Sequence, residues 1–356
     1  MKENKSIHSK VLHIGPNPVG AGGMTAVLKM YKQGCGRDFN IIPTTQGEAN
    51  WVVKGYFFFY ALVKFLVYML FREIKIVHVH SSSNLSFYRK SLFIILSALF
   101  SKKIILHIHG GAFDVFYKEH RAFCDWVFRR VDLLLTVSEY LKKQMQQEMS
   151  DPREIVVLYN PIDKPKVSIP QSSQSSRILI LHFGYMDEDK GILMILDCFE
   201  RYRDELHSKV ELHLGGIGPF VNIIEEKVAN SLAGFVFYHG WVSGQEKIAL
   251  QSQAEIYLQP SVFESLGIAI IEAMSYGSAI IASDRGGIPE LVEDGVNGYL
   301  IHPKNADELY EKIKLVIDDA NLRSKMIEAS RQKAQRFYIE EIIQQMQIIY
   351  QRFINL

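Results

Sequence analysis

Short apolar runs that alternate with helical patterns, once through each half of the chain, restrict its fold more than any other feature. Runs at 11–15, 76–80, 104–109, 133–137 and 155–158 each give way to a turn and a helical segment. This is the β-α-β rhythm of a parallel sheet covered by helices. After Asn160-Pro161 the segment IDKPKVSIPQSSQSSR is rich in Pro, Ser and Gln and has no apolar period, so it reads as a linker. The rhythm restarts at 178–184, 210–215, 235–239, 256–259 and 279–282. At 356 residues, two domains of ordinary size are expected. They are placed at 1–160 and 178–336, joined by the linker 161–177. The end, 337–356, repeats Ile342, Ile343, Met346, Ile349 and Tyr350 at helical spacing, so a last amphipathic helix should pack on something.

Charge narrows the partners. Lysines and arginines number 40 against 39 aspartates and glutamates, so no large basic field exists to hold a nucleic-acid backbone, and nucleic acid is not expected. Cys35, Cys124 and Cys198 are far apart and lack C-x-x-C spacing, which indicates neither a disulfide framework nor a zinc site. The opening MKENKSIHSK is polar and lacks the apolar core of a secretory signal, so a cytoplasmic protein is expected.

One stretch complicates that reading. From Trp51 to Phe71 the sequence is apolar and aromatic, with Lys54 and Lys64 its only charges, and nearly long enough to span a bilayer. A spanning helix would put parts of one sheet on opposite sides of the membrane, so a core helix or an interfacial helix is preferred. Phe57, Phe58, Phe59 and Tyr60 in a row cannot all face one core at helical spacing. A shared role is expected, with aromatic surface left over to meet the inner face of the cell membrane. The run SLFIILSALF, ending in Ser101-Lys102-Lys103, points the same way.

In open α/β sheets ligands sit beyond the carboxyl ends of strands, so the residues just after each strand carry the chemistry. After the first strand, Gly20, Gly22 and Gly23 form a loop opening a helix near Met24, where backbone N–H groups can approach a phosphate. His109 ends its strand beside Gly110 and Gly111, so its imidazole should point into a cleft rather than into the sheet. His107, His78 and His80 read as structural. In the second half Gly184 ends a strand, and Lys190-Gly191 opens a helix six residues later, where an ammonium suits a diphosphate. Gly216 and Gly218, in Gly215-Gly216-Ile217-Gly218-Pro219, and Trp241, in His239-Gly240-Trp241, lie in loops suited to a nucleoside. The strongest signal is PSVFESLGIAIIEAMSYGSAIIASDRGGIPELVEDGVNGYLI, beginning at Pro260. Glu264 and Glu272 are acids in a mostly apolar segment, and a buried carboxylate needs several donors, which sugar and ribose hydroxyls supply. The N–H groups of Ser265, Leu266 and Gly267 at the helix start would take a phosphate.

These residues resemble the retaining GT-B glycosyltransferases of family four, which includes many bacterial polysaccharide and lipid-glycan enzymes. The resemblance covers nearly the whole chain and rests on Glu264, seven intervening residues and Glu272. It implies two Rossmann-like parallel-sheet domains facing a central cleft, the first for the acceptor and the second for the nucleotide sugar. The last helix is then implied to return to the first domain. Glu264 would contact the donor sugar, Glu272 the ribose hydroxyls, Lys190 the diphosphate, Gly22 and Gly23 the phosphate from the other domain, and His109 the sugar near the reacting carbon. The nucleotide sugar, UDP-linked by preference, is a co-substrate, and neither cofactor nor metal is implied. Retention is attributed to same-face attack in which the leaving phosphate helps deprotonate the acceptor. A double displacement would leave Glu264 as the only nameable nucleophile.

Two positions depart from the family. Tyr185 stands where an arginine is common, which removes a second cation from the diphosphate, so either another basic residue substitutes, with Arg177 and Arg285 as candidates, or donor binding is weakened. Ala279 stands where a proline is frequent. The rival readings on this architecture are a nucleotide-sugar epimerase, a phosphorylase, or a non-catalytic partner that kept the fold.

Overall fold

The computed structural model describes residues 7–19, 22–45, 51–149, 153–165 and 177–354. Gly20 lies outside them. The chain divides into two compact units, one of residues 1–163 with 337–356 and the other of residues 164–336.

Among the described residues the first unit holds six parallel strands: β1 (Val11–Gly15), β2 (Asn40–Pro43), β3 (Ile76–Ser81), β4 (Lys103–Ile108), β5 (Leu133–Thr136) and β6 (Ile155–Val157). Their order across the sheet is β2-β1-β3-β4-β5-β6. Every residue of β1, β3 and β5 is buried, the mark of a sheet covered on both faces. The second unit holds β7 (Ile178–Phe183), β8 (Val210–Gly215), β9 (Val236–Tyr238), β10 (Ile256–Gln259), β11 (Ala279–Ser283) and β12 (Gly298–Ile301), in the order β12-β11-β10-β7-β8-β9. Its core joins Ile180, Leu212, Leu214, Leu258 and Ile281 of the sheet to Ile195 and Phe199 of one helix and Leu309 and Ile313 of another. Each such side chain contributes about 1.5–3 kcal/mol on leaving water.

All ten expected strands are present, with ends displaced by no more than two residues. Two further strands, β2 and β12, escape the sequence pattern for one reason. Both are sheet edges and only partly buried, so neither needs a long apolar run. Pro43 ends β2, a position an edge strand tolerates.

The apolar stretch is a single helix, Trp51–Phe71. Ala61, Phe65 and Met69 form a buried stripe at i, i+4 and i+8, and Phe65 packs edge-on against Phe93 at 5.5 Å. Only 17% of the window from Val53 to Phe71 is buried. Tyr56, Phe59, Tyr60, Val63, Val67, Leu70 and Phe71 stand exposed on the remaining faces. One face thus belongs to the core and the others do not.

The helix Ile339–Ile354 belongs to the first unit. Ile339 and Ile343 sit where a side chain on Gly34 would stand, and the Tyr350 hydroxyl lies 2.7 Å from His78 Nδ1 in the interior.

Candidate active site

Strand order reverses once in the second sheet. From β7 the chain runs outward through β8 and β9, then returns to build β10, β11 and β12 on the other side. Loops leaving the carboxyl ends of β7 and β10 therefore diverge, and a crevice at such a reversal is where open α/β sheets bind ligands.

Lys190 follows β7 and Glu264 follows β10, so the two straddle the reversal. Their side chains meet, with Lys190 Nζ donating to Glu264 Oε1 at 2.6 Å. Both are mostly enclosed, at 26% and 17% side-chain exposure, so the pair is screened less than a surface pair would be. Backbone contacts fix the loops that carry them. Val262 N–H donates to the Asp189 carbonyl at 2.8 Å, and Gly287 N–H donates to that of Glu264 at 2.9 Å. A side chain on Gly286 would come within 2.0 Å of the same Glu264 carbonyl oxygen.

Under Glu264 runs a polar chain that the sequence reading missed. The Tyr257 hydroxyl on β10 lies 2.9 Å from the Phe183 carbonyl and 3.0 Å from Gln259 Oε1. Gln259 Nε2 donates to Ser261 Oγ at 2.7 Å and reaches Glu264 Oε1 at 3.5 Å. All three are buried, so the chain is held by partners rather than water. Burial pushes the Tyr257 phenol well above its ordinary range, and both Glu272 and Glu264 add to the rise. The two acids thus lie within electrostatic reach of one buried hydroxyl. On β7 beside it, His182 Nδ1–H donates to the Leu258 carbonyl at 2.9 Å, and burial lowers the imidazole to about 4.

Glu272 lies in the helix Ile268–Tyr276 and is held by Lys247, whose ammonium donates to its two oxygens at 2.9 and 2.8 Å. Lys247 was not anticipated. It stands in the first turn of the helix Gly244–Gln253, beyond β9, much as Lys190 stands near a helix start beyond β7. That repeated placement is the signal by which it could have been found. Gly267 caps the Glu272 helix with φ of +94°, a conformation that favours glycine. Among the described residues, the N–H groups of Ser265, Leu266 and Gly267 make no hydrogen bond.

The glycines after β7 and β8 serve first to bring two loops together. Gly184 N–H donates to the Gly215 carbonyl, and a side chain on Gly216 would lie 1.8 Å from the Gly184 carbonyl oxygen. Gly218 is equally closed, 2.5 Å from the Met186 carbonyl oxygen. Gly216 N–H in turn donates to the Gly240 carbonyl, which draws in the loop bearing Trp241, 64% exposed.

Of the two arginines considered as replacements at Tyr185, Arg177 precedes β7 and pairs with Glu211 at 2.7 Å, at the strand end opposite Lys190. Arg285 follows β11, next to Gly286, and pairs with Asp284 at 3.2 Å. Only Arg285 lies on the carboxyl side. The absence of an Asp-x-Asp motif, which the sequence reading took as agreeing with a metal-free reaction, is corrected by Asp187-Glu188-Asp189, which spells it. Asp187 Oδ1 accepts the Lys190 backbone N–H at 3.0 Å, and Glu188 pairs with Lys304 at 3.0 Å.

In the first unit the reversal falls between β1 and β3. Gly22, with φ of +117°, caps the helix Gly23–Cys35, and among the described residues no atom beyond the chain neighbours lies within 4 Å of where a side chain on Gly22 or Gly23 would stand. His109 differs from expectation. Register sets His13 beside His78 and His80 beside His107, on one face of the sheet. His109, one residue past β4, joins that row instead of projecting away from it. Its ring lies 4.1 Å from His107, and its Nε2 is 3.0 Å from His80 Nδ1, whose Nε2 is 3.0 Å from His13 Nδ1. Burial holds all five imidazoles below their usual range, His13 and His107 at about 3. Two triads, His13-His78-His80 and His80-His107-His109, are close enough to share an ion. Both depend on His80, whose two nitrogens are already engaged in the chain.

Two parallel sheets of six strands, each with covering helices, define the GT-B architecture. Residues 163–333 match the family model described as glycosyl transferases group 1, and residues 37–165 match that of glycosyltransferase family 4. An uncharacterized glycosyltransferase of Methanocaldococcus jannaschii is 24% identical over 281 residues, covering 74% of this chain and 72% of the relative. HepE from Anabaena, solved in complex with UDP and glucose, superposes with a TM-score of 0.76 at 19% identity, over 96% of this chain and 99% of that one. Sucrose-phosphate synthase from Thermosynechococcus elongatus gives a TM-score of 0.77 at 18% identity, over 96% and 98%. The chain belongs to the glycosyltransferases that these two family models describe.

Proposed function

We propose that the chain transfers a sugar, with retained anomeric configuration, from a UDP-sugar held by the second unit to a glycan acceptor held by the first. The observation that carries this is the pair of ammonium–carboxylate contacts beyond the strands of one sheet, Lys190 with Glu264 and Lys247 with Glu272. A diphosphate draws Lys190 toward itself and frees Glu264 to accept from a sugar hydroxyl. Glu272, held through both oxygens, keeps lone pairs for the two hydroxyls of a ribose. The N–H groups of Ser265, Leu266 and Gly267, at a positive helix end, add donors for the leaving phosphate. Fixed charge of this kind lowers the barrier to departure without a metal. UDP is favoured because HepE, of the same fold, was captured with UDP and glucose.

The acceptor is a lipid-linked glycan in cell-surface polysaccharide synthesis, and the exposed faces of Trp51–Phe71 rest on the inner surface of the cell membrane. The experiment is a thermal shift against a panel of nucleotides and nucleotide sugars, with Glu272→Ala alongside, since a ligand that binds only the native state raises the melting temperature. Stabilisation by uridine nucleotides alone, lost in the variant, is expected. A flat response across the panel would overturn the proposal.

A further inference from the structure

The helix Leu85–Leu99, which follows β3, carries a lysine where a lysine is costly. Lys90 is only 3% exposed. Its ammonium donates to Ser86 Oγ at 2.7 Å and approaches Met24 Sδ at 3.9 Å, and among the described residues it has no carboxylate partner. Enclosing a cation with one hydroxyl and one thioether is unfavourable unless an anion completes the site. Beside it, Arg89 keeps a buried Nε that no described protein atom accepts. Burial, with Arg89 adding its charge, pushes the Lys90 ammonium down to about 7.

Both side chains line a cavity of about 290 Å³, together with Gly22, Gly23, Ser82 and Ser86. No aspartate or glutamate is among its described lining residues. The 13-residue helix Gly23–Cys35 begins there, adding donors and a positive helix end. The cavity also lies where strand order reverses between β1 and β3, the ligand-binding position of an open parallel sheet.

Two cations, hydroxyls and a helix start around a compact space form a receptor for a phosphate group. The molecule has two sheets, each with charged residues at its own reversal, and its reaction has two substrates. We infer that the first unit binds a phosphate group carried by the acceptor, with Lys90 and Arg89 as its ligands. The inference rests on the reading that the second unit holds the nucleotide.

The test uses the full chain and inorganic phosphate as probe, titrated by thermal shift in phosphate-free buffer with and without saturating UDP. Wild type should show saturable stabilisation by phosphate that persists at saturating UDP. Lys90→Met should melt no lower than wild type, because it keeps the apolar stem and removes the buried charge, yet lose the phosphate response. Arg89→Gln, at a partly exposed position, should weaken phosphate by about tenfold, the scale of one charge-assisted hydrogen bond. UDP should stabilise both variants as it does wild type. A phosphate response absent from wild type, or unchanged in both variants, would overturn the inference. A response abolished by saturating UDP would give the site to the donor and overturn the acceptor assignment. If UDP fails to stabilise while the Lys90-dependent response persists, the donor reading falls and the anion site stands, which separates the two failures.

Discussion

Lys247 carries the most informative single contact, because it decides whether Glu272 keeps a fixed orientation. Removing it leaves a carboxylate at 30% exposure without its bidentate partner. Lys247→Ala is expected to weaken UDP binding by about tenfold or more, the scale of a lost hydrogen bond to a charged group. Calorimetric titration with UDP would show this, and an unchanged Kd would remove Lys247 from the site. Glu264, Glu272 and Lys190 were legible in the sequence because acids in an apolar segment, or a lysine beside glycine at a strand end, need a reason to be there. Lys247 was not, since a lysine in the first turn of a polar helix looks like any solvated side chain. Tyr257 and Gln259 were hidden for the opposite reason, lying inside a strand whose other residues are apolar.

Among the elements, the helix Trp51–Phe71 makes the sharpest separation between fold and function. Its buried stripe holds it to the first unit, so Phe65→Ala should destabilise by about 3–5 kcal/mol. Its exposed faces have no such role. Replacing Tyr56, Phe59 and Leu70 by glutamate should leave the melting temperature within about 2 °C while abolishing co-sedimentation with anionic vesicles at low salt. Vesicle binding unaffected by the three glutamates would detach the helix from the membrane. The length and amphipathic excess of this helix were readable, because a largely apolar run of 21 residues with aromatics at consecutive positions overfills any single stripe. The edge strands β2 and β12 were not readable, since partial exposure weakens the apolar signal that marks the central strands.

Across the whole molecule, the buried histidines make the two units unequal toward acid. His13 and His107, held at about 3 by burial, stay neutral in the native first unit, as do His78, His80 and His109. Above pH 6.5 they are neutral in both states and exert no pH effect. Below it the unfolded chain binds protons that the native unit refuses, so stability falls as pH falls toward the native values. Each such histidine costs about 1.4 kcal/mol per pH unit over that window. The second unit holds fewer, chiefly His182, lowered to about 4. Calorimetric scans at pH 7.5 and pH 5 should therefore show the first unit's transition moving down further than the second's. Equal displacement of both would mean that the histidine row is charged or hydrated.

The two-domain α/β plan was legible as a whole because parallel strands buried on both faces read as near-continuous apolar runs. The histidine row was not, because strand register, not spacing along the chain, sets His13 beside His78 and His80 beside His107.

The measurement to make is release of UDP from a panel of UDP-sugars, with a membrane lipid fraction supplying the acceptor, for wild type and for Lys190→Ala. Wild type should release UDP from one donor well above the others, and the variant should be slower by about 10²–10³, the cost of losing one preorganised donor to developing charge. Release from no donor, or an equal rate without the Lys190 ammonium, would contradict a UDP-sugar transferase built on this site.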